Sequence, residues 1–178
     1  MAITDPLALQ VLAIAKEAGD KIMEIYDRDF AIYEKQDTSP LTEADLAAHK
    51  SIVAGLKAIS ELPILSEESA DISWEERKTW DKYWLVDPLD GTKEFIKKNG
   101  EFTVNIALID GGKPIMGVVY APALSKSYVG IVGQGAWTET AAGVNPISAK
   151  PHQPGELWKV VGSRSHQSPE IQNLLAQL

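Results

Sequence analysis

The sequence has no cysteine. That excludes a disulfide framework and a thiolate metal site, and it fits a cytoplasmic protein. Basic residues are in deficit: 17 Lys and Arg stand against 25 Asp and Glu, for a net charge of −8. A chain so charged is a poor partner for a nucleic-acid backbone. A small phosphorylated substrate is still open to it, because a bound metal reverses the local sign. No stretch approaches the length of a membrane-spanning helix. The first residues, Met1 to Pro6, lack the basic and apolar regions of a secretory signal. The expected location is cytoplasmic, with peripheral contact with the inner membrane left open. Internal repeats and low-complexity segments are absent as well.

What is present is ordinary globular composition, with 44% hydrophobic and 24% charged residues in 178. That length suits one domain and the start of another. Asp5-Pro6 opens a helix whose apolar stripe runs through Leu7, Val11, Ile14, Ala15, Ala18, Ile22, Ile25 and Tyr26. Phe30, Ile32 and Tyr33 suggest a short strand, and Gln36 to Pro40 a polar loop. Thr42 and Asp45 have the spacing of a capping box at the head of a second helix, buried along Ala48, Ile52, Leu56 and Ile59. His49 on that helix reads as a surface or partly buried residue. Ile64-Leu65 is a short strand, and Asp71 to Lys82 a loop with a helical turn. Thr103–Ile109 and Pro114–Tyr120 flank the turn Asp110-Gly111-Gly112-Lys113, and a second hairpin follows over Ser127–Thr138. The predicted fold is α+β, an antiparallel sheet covered on one face by two N-terminal helices. The Ala-, Pro- and Gly-rich segment from Ala141 to Gly155 predicts a boundary between a first domain, 1–155, and a second α/β domain beginning at 156–178. In the latter, Lys159–Gly162 reads as a strand and Ser168-Pro169-Glu170 as a helix start.

Everything is arranged around Trp84-Leu85-Val86-Asp87-Pro88-Leu89-Asp90-Gly91-Thr92-Lys93-Glu94-Phe95. Tyr83 to Val86 reads as a buried strand that stops at Pro88. Asp87 and Asp90 then lie between a strand end and a helix opening at Thr92. Carboxylates crowded together repel unless a cation lies between them. Hard oxygen donors at this density suit Mg²⁺ or Mn²⁺, and the amides of Gly91 to Lys93 can face an anion. The competing reading is an acidic turn in which Asp90 caps the helix. Likewise Asp45 could serve only as a cap, and Glu67-Glu68 as a solvated loop. Taken together, Asp45, Glu67, Glu68, Asp87 and Asp90 supply what a multi-metal phosphatase needs.

Leu65-Ser66-Glu67-Glu68-Ser69 followed by the Trp84–Phe95 stretch resembles the lithium-sensitive, Mg²⁺-dependent phosphatases of the inositol monophosphatase superfamily. Thr92-Lys93-Glu94-Phe95, where inositol monophosphatases usually carry Thr-Thr-Asn-Phe, is similar to the bacterial CysQ-type 3'(2'),5'-bisphosphate nucleotidases. Asn99 to Ile109, Pro40 to Asp45, and Ser163-Arg164-Ser165-His166 carry the same resemblance. It implies a sugar-phosphatase-like layered sandwich and hydrolysis of adenosine 3',5'-bisphosphate to AMP and phosphate with two or three Mg²⁺ ions. It further implies that Glu67, Asp87 and the Leu89 carbonyl bind one Mg²⁺, and Asp87 and Asp90 a second. Asp45 and Thr92 would deprotonate the attacking water, while Glu67, Leu89, Asp90, Gly91 and Thr92 border the substrate. In the family, a second α/β domain adds a metal-binding aspartate in a Trp-Asp motif and much of the nucleotide pocket. An inositol monophosphatase-like sugar phosphatase and an inactive metal-binding module are the rival readings.

Overall fold

The computed structural model describes residues 3–29, 31–34, 40–69, 72–157, 160–161 and 169–175. Helix α1 covers Pro6–Tyr26 and begins as the sequence predicts, with Ala8 N–H donating to Asp5 Oδ1 at 2.9 Å. Its buried stripe includes Val11, Ile14, Ala15, Ala18, Ile22 and Ile25. A short antiparallel pair follows, β1 (Ile32–Glu34) and β2 (Pro40–Thr42). Phe30 and Gln36 to Ser39 lie outside the described residues. Helix α2 spans Glu43–Ile59, and its inward face is Ala44, Ala48, Ile52 and Leu56.

The main sheet has seven strands in the order β3-β4-β5-β6-β7-β8-β9. They are β3 (Ile64–Ser66), β4 (Lys82–Asp90), β5 (Thr103–Asp110), β6 (Lys113–Ala121), β7 (Lys126–Ile131), β8 (Gly135–Thr140) and β9 (Gly143–Ile147). The two expected hairpins form, and each tight turn places its strands side by side. One expectation needs correction. β3 pairs with β4 in parallel, so the sheet is mixed. The connection that permits this crossover contains a one-turn helix, α3 (Trp74–Arg77). β9 extends the sheet into the segment read as boundary, with Pro146 tolerated because β9 is an edge strand.

Strand alternation sorts the sheet into two faces. Trp84, Val86, Val104, Ile106, Val118 and Val129 point toward α1 and α2 and are fully buried. Each such side chain stabilises the fold by about 1.5–3 kcal/mol. Tyr83 and Leu85 take the other face, so the run from Tyr83 to Val86 is not buried throughout; Leu85 is 42% exposed. Helix and sheet meet closely at Gly19, where a Cβ would lie 2.4 Å from Tyr120 Cε1.

The chain divides into two compact units, Met1–Ser148 and Ala149–Leu178. The second contains helix α5 (Pro169–Leu175), none of whose residues is buried. The expected strand at Lys159–Gly162 is described only at Val160 and Val161, and Ser163 to His166 lie outside the described residues. No helix among the described residues is long and apolar enough to cross a membrane.

Candidate active site

Asp45 is the third residue of α2 and is 2% exposed. The predicted capping box is present: Thr42 donates its N–H to Asp45 Oδ2 at 2.8 Å and its hydroxyl to the same oxygen at 2.5 Å. That leaves Oδ1, which receives the hydroxyl of Thr92 at 3.2 Å. Thr92 Oγ1 also lies 3.3 Å from the Leu89 carbonyl, a second acceptor for the same proton. Burial pushes the Asp45 carboxyl above its ordinary range, opposed by the bonds from Thr42 and Thr92.

Thr92 opens α4 (Thr92–Ile96), a helix too short to stand without tertiary support. Phe95 supplies that support. It is fully buried, with its ring 5.1 Å from that of Tyr26 and 5.2 Å from that of Phe102. The residue that caps α4 is Gly91, at φ 94°, with no side-chain capping bond, so Asp90 is not the cap. Gly91 is also required for space: a Cβ there would stand 2.8 Å from the Glu101 carbonyl oxygen.

The strand carrying Asp87 does not stop at Pro88. Asp87 pairs with Asn105 and Asp90 with Thr103, so three steps along β4 match two along β5. The surplus residue is a β-bulge, and Pro88 and Leu89 are both buried within it. In a regular strand residues three apart face opposite ways; the bulge returns Asp87 and Asp90 to one face. Asn105 Nδ2 donates to Asp90 Oδ2 at 3.2 Å, and Thr103 Oγ1 donates to Asn105 Oδ1 at 3.0 Å. Nothing local in the sequence marks Asn105, because its contact with Asp90 depends on strand register.

Glu67 arrives from β3. Its N–H donates to Val86 O at 3.0 Å, which sets it beside Asp87. Burial, then the charges of Glu67 and Asp90, raise the Asp87 carboxyl from an ordinary 3.8 to about 7. Asp87 Oδ1 is buried without a hydrogen-bond partner. Glu67, Val86 and Asp87 border a groove of about 590 Å³ that also takes in Arg77, Asn105, Leu85 and Val119.

Among the described residues no three Asp, Glu, His or Cys side chains already stand at the spacing of a closed metal cage. The donor set nevertheless fits Mg²⁺. That ion keeps several waters and takes only one or two carboxylates, and here an orphaned carboxylate oxygen is held among like charges. A cation would satisfy the oxygen and relieve the repulsion. Sequence reading thus named residues that the fold brings into two groups: Asp45, Leu89 and Thr92 by direct hydrogen bonds, and Glu67, Asp87 and Asp90 by charge, with a side-chain hydrogen bond between Glu67 and Asp87 besides. Gly91 joins them.

The model of the inositol monophosphatase family matches residues 4–178. The chain belongs to that family. It is similar to the 3'(2'),5'-bisphosphate nucleotidase CysQ of Escherichia coli, with 50% identity over 172 residues, covering 95% of this chain and 68% of that protein. The crystal structure of CysQ from Bacteroides thetaiotaomicron, described as a bacterial member of the family, superposes with a TM-score of 0.75 at 40% identity. The match covers 96% of this chain and 67% of that one. The same fold occurs in an inositol monophosphatase/NADP phosphatase solved with Mg²⁺ and phosphate, at 23% identity and a TM-score of 0.60, covering 69% of this chain and 46% of that one.

Proposed function

We propose that the chain is a Mg²⁺-dependent phosphomonoesterase, a 3'(2'),5'-bisphosphate nucleotidase that converts adenosine 3',5'-bisphosphate to AMP and phosphate. The observation that carries this reading is the Asp45–Thr92 hydrogen bond, 3.2 Å long, at the corner where Asp87 and Asp90 converge. A buried carboxylate gripping a hydroxyl beside a group of oxygen donors is what phosphoryl transfer to water requires. The name of the CysQ relative, 3'(2'),5'-bisphosphate nucleotidase, supports a bisphosphorylated nucleotide as the substrate class.

Glu67, Asp87 and the Leu89 carbonyl would hold one Mg²⁺, and Asp87 and Asp90 a second. When bound, such ions polarise phosphoryl oxygens and lower the pKa of water. Thr92 holds the attacking water on a lone pair while its own proton points at Asp45 Oδ1 or the Leu89 carbonyl. As the water oxygen bonds to phosphorus, its proton passes through Thr92 to Asp45. The bond from phosphorus to the 3'-oxygen breaks, and that oxygen takes a proton from solvent. The amides of Gly91 to Lys93 steady the phosphate. Residues 156–178 begin a second α/β domain in this reading, and the absence of cysteine fits work in the cytoplasm.

The test is phosphate release with Mg²⁺ from adenosine 3',5'-bisphosphate and, in parallel, from inositol monophosphate. A kcat/KM more than about tenfold higher for the nucleotide supports the assignment. The reverse preference would make the chain a sugar phosphatase, and release from neither would leave a metal-binding module.

A further inference from the structure

The turn that carries Glu67 is fastened on two sides. Toward β4, Glu67 N–H donates to Val86 O. Toward α2, the Ser66 hydroxyl meets His49 Nδ1 at 2.9 Å. Ser66 is 5% exposed and is the pivot of the turn: its Oγ accepts the Glu68 N–H at 3.4 Å, its N–H donates to Ser69 Oγ at 3.3 Å, and its carbonyl accepts the Ser69 N–H at 3.0 Å. A hydroxyl that accepts from Glu68 is set to donate to Nδ1, and burial favours the neutral imidazole that can accept it. His49 stands four residues after Asp45, one helical turn along the same face of α2.

We propose that His49 is a positioning residue for the metal site: through Ser66 it fixes the Glu67 turn relative to the Asp45 carboxylate. The proposal rests on the reading of Asp45 and Glu67 given above. The Glu67 side chain is long and exposed, and it meets Asp87 by a side-chain hydrogen bond. The position of the backbone turn beneath it sets where its carboxylate can reach.

The experiment compares the 178-residue chain with His49→Ala, Ser66→Ala, the double variant and His49→Asn, whose side-chain amide reaches the position of Nδ1. Mg²⁺ affinity is read by calorimetry, melting temperature without metal, and phosphate release from adenosine 3',5'-bisphosphate in the same samples. His49→Ala and Ser66→Ala each weaken Mg²⁺ binding about 10- to 100-fold. The double variant is no worse than either, since both remove one link, and His49→Asn recovers most of the loss. Unchanged Mg²⁺ affinity in His49→Ala, losses that multiply in the double variant, or His49→Asn no better than alanine overturns the proposal. So does a fall in melting temperature without a selective fall in Mg²⁺ affinity. A wild-type chain that binds no Mg²⁺ also overturns it, whatever its activity. Wild-type Mg²⁺ binding with the expected variant pattern but no phosphate release would sink the nucleotidase reading and leave the positioning role standing.

Discussion

Thr92 donates its hydroxyl to Asp45 Oδ1 across a separation of 47 residues, while the other oxygen of the same carboxylate is committed to Thr42. One side chain therefore does two jobs with two atoms. Capping the helix therefore leaves one carboxylate oxygen for the catalytic role proposed for Asp45.

Asp45→Asn separates the two. The amide keeps an oxygen for Thr42 but loses the charge that accepts a proton. Stability without metal changes by about 1 kcal/mol or less, and kcat for bisphosphate hydrolysis falls about 10²–10⁴-fold. Thr92→Ala loses rate similarly, and the double variant little more, because both act on one water. Thermal melting and steady-state rates check this; near-normal turnover in Asp45→Asn would reduce Asp45 to a cap.

Asp87 makes the metal-free protein pH-sensitive. Its folded carboxyl titrates near 7 and its unfolded one near 3.8, so between these values the folded state retains a proton that the unfolded state has released. This contribution to stability is complete below about pH 4 and is lost as pH rises through 7. Mg²⁺ accordingly raises the melting temperature more at pH 8 than at pH 6. Asp87→Asn removes most of that difference and leaves the metal-free protein more stable than wild type at pH 8. Melting curves of both proteins with and without Mg²⁺ decide the matter, and an equal Mg²⁺ effect at the two pH values would refute it.

Gly91→Ala combines a left-handed backbone with a collision against the Glu101 carbonyl. The backbone strain alone costs about 1–3 kcal/mol. A denaturant midpoint lowered by at least that equivalent is expected; a wild-type midpoint would mean that the turn can rearrange freely.

The sheet face opposite the helices carries Leu85, Val119 and Tyr128, exposed by 42%, 38% and 38%. Asp87, Asn105, Val119 and Tyr128 form one row across β4 to β7, so this apolar surface adjoins the site. Exposed apolar patches promote self-association. Light scattering should report a mass that rises with concentration, and Leu85→Lys with Val119→Lys should suppress the rise. A clean monomer at high concentration counts against this.

The local features were the legible ones. Asp5-Pro6 and the Thr42/Asp45 box announce helices because the groups that satisfy each helix end lie within three residues of the cap. Pro88 misled, because a missing N–H ends a regular strand but is harmless in a bulge, and only the partner strand reveals the bulge. The parallel pairing of β3 was hidden for the same reason. His49 reads from the sequence as a surface or partly buried helix residue and nothing more, because its partner Ser66 is 17 residues away on another element. Asn105 and Asp90, 15 apart, met only once the register of β4 and β5 was set.

That register makes the acidic group a question of parity. Because side chains on a strand alternate, the single surplus residue between Asp87 and Asp90 decides whether the two carboxylates share a face. Regular pairing of β4 with β5 through this stretch, with the bulge absent, would leave every proposed metal ligand in the sequence. Asp87 and Asp90, three residues apart, would then point to opposite faces of the sheet, and Asp90 would leave the side that carries Asp87. In this family member the local register is as necessary to the acidic group as the identities of its residues.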